Sequence, residues 1–303
     1  MITNQLLVDY ENYLRAQDKS PYTIKNFGDD IRRCLEFLRS QGIADIETIV
    51  YGDIDCFLVA IANLPDGRMK NSNTMNRMKV ALRSFFGWAY RTGVLPSEPA
   101  SHLRTKRVDR LPPTYLTAEE ERRLLDCLLS HSREPHQQRD LAIIRLLLDT
   151  GIRVGELTQI DLSDIDGKHF VIRRQKGGSP IRKFLPSITR QVISDYITGE
   201  RTRYTSPSDP NALFLTQSNE RMHPRAVQMV TRKWVRLAGI DKQITPHKLR
   251  HTFATSLYSK SHDILAVQKA LGHRSIVHTQ IYAHISDESL ETALENRSSD
   301  FHS

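Results

Sequence analysis

The chain has 303 residues, enough for two modest domains or one large one. Three scattered cysteines, Cys34, Cys56 and Cys127, argue against a disulfide framework and a thiolate zinc site. No run approaches the ~18 continuous apolar residues of a membrane span, and the start does not read as a secretion signal, so a soluble cytoplasmic protein is expected. A formal charge of +8, from 43 basic and 35 acidic residues, favours a polyanionic partner without identifying one.

The first hundred residues read as helices. After Ser20 and Pro21, the spacing of Ile24, Phe27, Ile31, Leu35 and Leu38 suits one helix face, with Gly42 to end it. Residues 74–90 carry a second face, made of Met75, Met78, Leu82, Phe85, Phe86 and Ala89, ended by Gly93. Helices near the start and at about 50–62 complete a small bundle. The stretch from Pro96 to Pro113 holds four prolines and the basic residues Arg104, Lys106, Arg107 and Arg110, which predicts an exposed connection that could follow DNA phosphates. Thr117 with Glu120 predicts a helix cap, and residues 140–148 predict a helix broken by Gly151. Residues 169–173 and 181–185 predict two strands about a polar turn at 176–180. The rest is mainly helical. The fold class expected is mainly α with a small antiparallel sheet.

Three separated elements stand out chemically. They are GIRVGEL at 151–157, HKLRH at 247–251, and LGH at 271–273 with Tyr282 nine residues after its histidine. Residues three apart share a helix face, so His247 and Arg250 can address one ligand, and Arg153 can join them from another element. Two guanidinium groups and two imidazoles suit a phosphate whose charge grows in a pentavalent transition state. Taken singly, each residue is ordinary. A lone arginine is more often structural, a lone histidine more often a satisfied hydrogen-bonding group, and a lone tyrosine more often packing.

In the order TGIRVGEL, HKLRHTFAT, LGH and IYAH, the chain resembles the tyrosine recombinase, or phage integrase, family of the short Xer-like or mobile-element type. SPYTIKNFGDDIRRCLEFL and NRMKVALRSFFGWAYRTGVLPSEPA are similar to helices of that family's core-binding domain. The resemblance implies a helical core-binding domain at 1–100, a basic linker at 101–113, a catalytic domain at 114–290 and a tail at 291–303. It implies that Arg153 and Arg250 bind the scissile phosphate, that His247 and His273 assist, that Lys176 protonates the departing 5′ oxygen, and that Tyr282 attacks phosphorus. In this sequence the turn QKGGSPIRKFLP holds extra residues between Lys176 and Pro186, so Lys183 competes with Lys176 as proton donor, with Lys168 more remote. Glu156 is expected to orient its neighbourhood, and His251 and His284 to be structural or near DNA.

The reaction so implied cuts and rejoins double-stranded DNA through a 3′-phosphotyrosine, with no cofactor, metal or ATP. The implied partners are paired recombination sites and a tetramer, either of this chain alone or with a related recombinase, working through a Holliday junction at the nucleoid. Leu290 and Leu294 could form a short helix that docks on a neighbouring protomer. The short chain leaves little room for a further arm-binding domain. Relaxation of the type IB topoisomerase kind shares the tyrosine chemistry and is the alternative.

Overall fold

A computed structural model of the chain describes residues 4–63, 69–108, 113–173, 180–205, 207–272, 279 and 282. Lys176, His273, His284, residues 287–294 and the tail at 291–303 lie outside the described residues. Two compact units divide the chain, at 1–110 and 111–303.

The first unit is built from α1 (Asn4–Ala16), α2 (Pro21–Ser40), α3 (Tyr51–Ala62) and α4 (Ser72–Arg91). Ser20 caps α2, accepting a 3.0 Å bond from the Thr23 amide, and Pro21 fills the first helical position, where no intrahelical donor is needed. Ile24, Ile31, Leu35 and Leu38 are buried along α2, as their spacing predicts. They meet Met78, Leu82, Phe85, Phe86 and Ala89 of α4 in one core, where Tyr10 of α1 packs edge-on against Phe85 at 5.1 Å between ring centroids.

This core continues past α4. Leu95, Ala100 and Leu103 are buried in it, so the segment expected to open an exposed connection begins as part of the first unit. Beyond Leu103 the chain is held by α4 side chains. Asn76 donates to the Lys106 carbonyl at 2.7 Å and accepts from the Lys106 amide at 2.9 Å, and Lys79 donates to the Arg104 carbonyl at 3.1 Å. The side chains of Arg104, Lys106 and Arg107 stay exposed. Among the described residues no helix is long and apolar enough to cross a membrane.

The second unit runs α5 (Ala118–Ser130), α6 (Gln137–Thr150), α7 (Val154–Leu157), β1 (Ile165–Asp166), β2 (His169–Ile172), β3 (Ile181–Phe184), α8 (Ser187–Thr198), α9 (Pro224–Leu237), α10 (Pro246–Ser261) and α11 (Ile264–Leu271). Thr117 and Glu120 form the expected capping box of α5. The strands pair antiparallel in the order β1-β2-β3, with Phe170 opposite Lys183. β1, only two residues long, was not foreseen, because so short a strand has no readable alternation. Helix α6 is the hub. Ala142, Ile143, Ile144, Leu146 and Leu147 are all fully buried, so it is apolar over most of its circumference, with Arg145 and Asp149 paired on the remaining stripe, and packs against α8, α10 and α5. It ends at Gly151 in the left-handed region (φ +57°), where a Cβ would come within 2.3 Å of the Phe253 ring.

Candidate active site

Helix α10 carries the densest part of the site. Thr245 caps it and Pro246 begins it, which puts His247, Arg250 and His251 in its first turns. Thr252 accepts a bond from the Leu116 amide at 2.9 Å, anchoring this end of the helix to the chain that leads into α5. Arg250 is only 3% exposed. Its guanidinium donates to the Gly151 carbonyl, and to the Leu271 carbonyl at 2.8 Å. These oxygens lie at the C-terminal ends of α6 and α11, where helix carbonyls lack intrahelical partners and the helix dipole is negative. A guanidinium carries more N–H donors than two carbonyls use, so Arg250 is fixed in place with donors to spare.

Arg153 sits two residues past Gly151, at the start of α7. Glu156 accepts from its amide at 3.0 Å and from its guanidinium at 2.9 Å, while half of the Arg153 side chain stays exposed. Glu156 thus orients Arg153, as expected from the sequence. The field of Arg153 reaches its neighbours. Burial, and then the Arg153 charge, bring Arg250 down to about 10. Burial, and then the charges of Arg250 and Arg153, pull the His247 imidazole below its ordinary value. His247 is therefore neutral near pH 7 and can accept a proton. Arg153, His247 and Arg250 converge as an electropositive half-buried cluster fitted to an anion.

Tyr282 is 2% exposed and packs with Ala254, Val267 and Leu271, against Phe253 and Leu257. Burial pushes its phenol up to about 12, opposed by the Arg250 charge. The Tyr282 hydroxyl is 2.7 Å from His251 Nδ1, and the His251 ring stands 4.5 Å from that of His247. With its proton on Nε2, His251 accepts the phenol hydrogen. The family resemblance implies that His247 assists near Tyr282 and leaves His251 structural or near DNA; among the described residues it is His251 that hydrogen-bonds the Tyr282 hydroxyl. The spacing of His247 and His251, four apart on one helix, hinted at a shared face. The contact with Tyr282 spans 31 residues of sequence and had no local signal.

Lys183 was foreseen only as a competitor of Lys176. Along β3 the inward positions are Ile181 and Lys183, and the outward ones Arg182 and Phe184. The Lys183 amine donates to the Thr150 carbonyl at 3.0 Å and the Ala270 carbonyl at 2.7 Å. Burial, and then Arg250, lower it to about 8.

Comparison with known proteins places both parts of the chain in one family. Residues 114–289 match the phage integrase family, and residues 7–93 match the phage integrase N-terminal SAM-like domain. Tyrosine recombinase XerC of Oceanobacillus iheyensis is 32% identical over 298 residues, covering 95% of this chain and 94% of that protein. Tyrosine recombinase XerD of Corynebacterium glutamicum is 30% identical over 276 residues, covering 89% and 90%. The XerH site-specific recombinase, solved with a palindromic difH substrate in a post-cleavage complex, shares the fold with a TM-score of 0.73, at 21% identity over 92% of this chain and 81% of that one. With the catalytic match spanning more than half of its length, the chain belongs to the phage integrase family of tyrosine recombinases.

Proposed function

We propose that this protein is a site-specific recombinase that cuts and rejoins double-stranded DNA, and that its chemistry runs through Tyr282. The observation that carries the reading is the convergence of Arg153, His247 and Arg250 beside a buried tyrosine hydroxyl already hydrogen-bonded to an imidazole. Arg153 and Arg250 bind the non-bridging oxygens of the scissile phosphate and hold the charge that grows on them. Tyrosine is mostly protonated near neutral pH, so the phenol proton passes to an imidazole as the oxygen attacks. The Tyr282 Oη–P bond forms, the P–O5′ bond breaks, and the departing oxygen takes a proton to become a 5′-hydroxyl. Lys176 is the proposed proton donor, with His273 supporting the phosphate. The phosphotyrosine ester keeps the reactivity of the phosphodiester, so a 5′-hydroxyl from a second duplex can displace Tyr282 without ATP.

The assembly we propose is a tetramer on two DNA sites, of this chain alone or with a related recombinase, exchanging strands in two steps through a Holliday junction in the cytoplasm. The domain limits proposed remain 1–100, 101–113, 114–290 and 291–303, with residues 287–294 docking on a neighbouring protomer.

The test uses a nicked suicide duplex, its sequence selected from a random pool by binding to the protein. The expected product is a covalent protein–DNA adduct, absent in Tyr282→Phe, with recombinants only when two sites are present. Tight binding without an adduct would falsify the enzymatic reading. Relaxation of single-site circles with no recombinants would sink the recombinase reading.

A further inference from the structure

Lys183 and Arg250 share an unusual arrangement. Lys183 holds the Thr150 and Ala270 carbonyls, and Arg250 holds the next carbonyl along in each case, those of Gly151 and Leu271. One cation comes from a strand and the other from a helix, yet both bridge the same two helix ends. Those ends are shaped alike: α6 closes on Gly151 and α11 on Gly272, both in the left-handed region. Ile181, the other inward residue of β3, lies 3.9 Å from where a Gly272 Cβ would stand, so the strand backs directly onto this junction.

We propose that Lys183 is a positioning residue, which staples the ends of α6 and α11 together so that Arg250 and the α6–α7 turn carrying Arg153 keep their places at the phosphate. The proposal rests on the reading of Arg153 and Arg250 as the phosphate site. It separates Lys183 from the proton donation that its place in the hairpin would suggest.

Two helix C-termini brought side by side repel through their dipoles and their unpaired carbonyls. Arg250 offsets part of this repulsion at the Gly151 and Leu271 carbonyls, and the Thr150 and Ala270 carbonyls form a second row. Lys183 closes that second row. Its bonds to the carbonyls are charge-assisted and strongest while the nitrogen is an ammonium. Donating a proton to the leaving oxygen would weaken both bonds at the moment when Arg250 has most to hold still. Proton transfer is thereby left to Lys176, the donor proposed above.

The deciding experiment measures single-turnover adduct formation by the full-length protein on two suicide duplexes. One has the normal 5′ oxygen at the scissile bond. The other has sulfur there, which departs as a thiolate and needs no proton. Lys183→Met is expected to slow cleavage about 100-fold on both duplexes, the scale of a small misplacement of catalytic groups. Lys183→Arg, which can still bridge two carbonyls but does not surrender a proton, should recover most of the lost rate. Lys176→Met should be slow on oxygen and restored on sulfur. A Lys183→Met protein slow on oxygen but restored on sulfur would overturn the proposal, since it would mark Lys183 as the acid; wild-type cleavage of oxygen by Lys183→Met would overturn it too. If Lys183→Met fails to fold, Lys183→Arg decides alone: fast on both duplexes supports the staple, while slow on oxygen and fast on sulfur overturns it. Failure of the wild type on both duplexes would count against the recombinase reading instead, so the two failures are distinguishable.

Discussion

Tyr282 places its hydroxyl 2.7 Å from His251 Nδ1 inside an otherwise apolar cluster. A buried hydroxyl deprived of its partner costs about 1–3 kcal/mol, whereas the net value of a satisfied bond is smaller. His251→Ala should therefore destabilise the catalytic unit by about that amount. His251→Gln should recover part of the loss, because an amide oxygen can accept the phenol hydrogen. The direct check is a double-mutant cycle with Tyr282→Phe, read by urea unfolding. Residues in contact couple by about 0.5–3 kcal/mol, so the double variant should lose less than the sum of the single ones. Strict additivity would show that the hydrogen bond contributes nothing. The same bond has a consequence for the proposed mechanism, in which Tyr282 is the nucleophile: its phenol already faces an imidazole, and the His247 ring lies one ring further on.

Helix α4 joins local sequence to tertiary arrangement. Asn76 grips the backbone of Lys106 by both its amide and its carbonyl, while Lys79 holds Arg104. The backbone that carries these exposed cations is thereby held before any DNA arrives, and less conformational freedom is lost on binding. Asn76→Ala should weaken duplex binding while leaving the salt dependence nearly unchanged, because every charge remains. Lys106→Ala should instead flatten the plot of log affinity against log salt by about 0.9 for each phosphate left without its cation. Equal slopes and equal affinities for all three proteins would show that the arm does not touch phosphate. The clamp also marks where sequence reading stops. Helices α2 and α4 and the β2–β3 hairpin were legible because apolar spacing or alternation is written locally. Prolines and basic residues made 96–113 look like an exposed connection, and only tertiary packing reveals Ala100 and Leu103 in the first core. That Arg153, His247, Arg250 and Tyr282 come near one another follows from short motifs, and the charges they exert on each other agree with it. The work of His251 and Lys183 was not legible, since their partners lie 31 to 87 residues away.

At the scale of the whole chain, burial stores a pH dependence in phenols. Tyr10 in the first unit, and Tyr204 and Tyr282 in the second, are each pushed up to about 12, chiefly by burial, and Tyr196 is pushed up by the same cause. In the unfolded chain a tyrosine ionises near pH ~10. Between these values the folded phenols hold protons that the unfolded ones have released, so their contribution to stability falls as pH rises, while Arg250, brought down to about 10, acts in the opposite sense. The contribution is fully present below pH ~10 and is lost as the pH climbs through about 12. An alkaline titration followed by near-ultraviolet phenolate absorbance and far-ultraviolet ellipticity should therefore show the buried phenols ionising together with loss of helix. Tyr282→Phe and Tyr204→Phe should each remove part of the absorbance change that accompanies unfolding. Were the absorbance of these phenols to rise reversibly while the ellipticity held, the buried hydroxyls would be open to solvent. Under the proposed mechanism Tyr282 would then need no rearrangement to meet a phosphate, whereas a phenol that ionises only with unfolding must be drawn out of its cluster, or have the site reshaped around it, before it can attack.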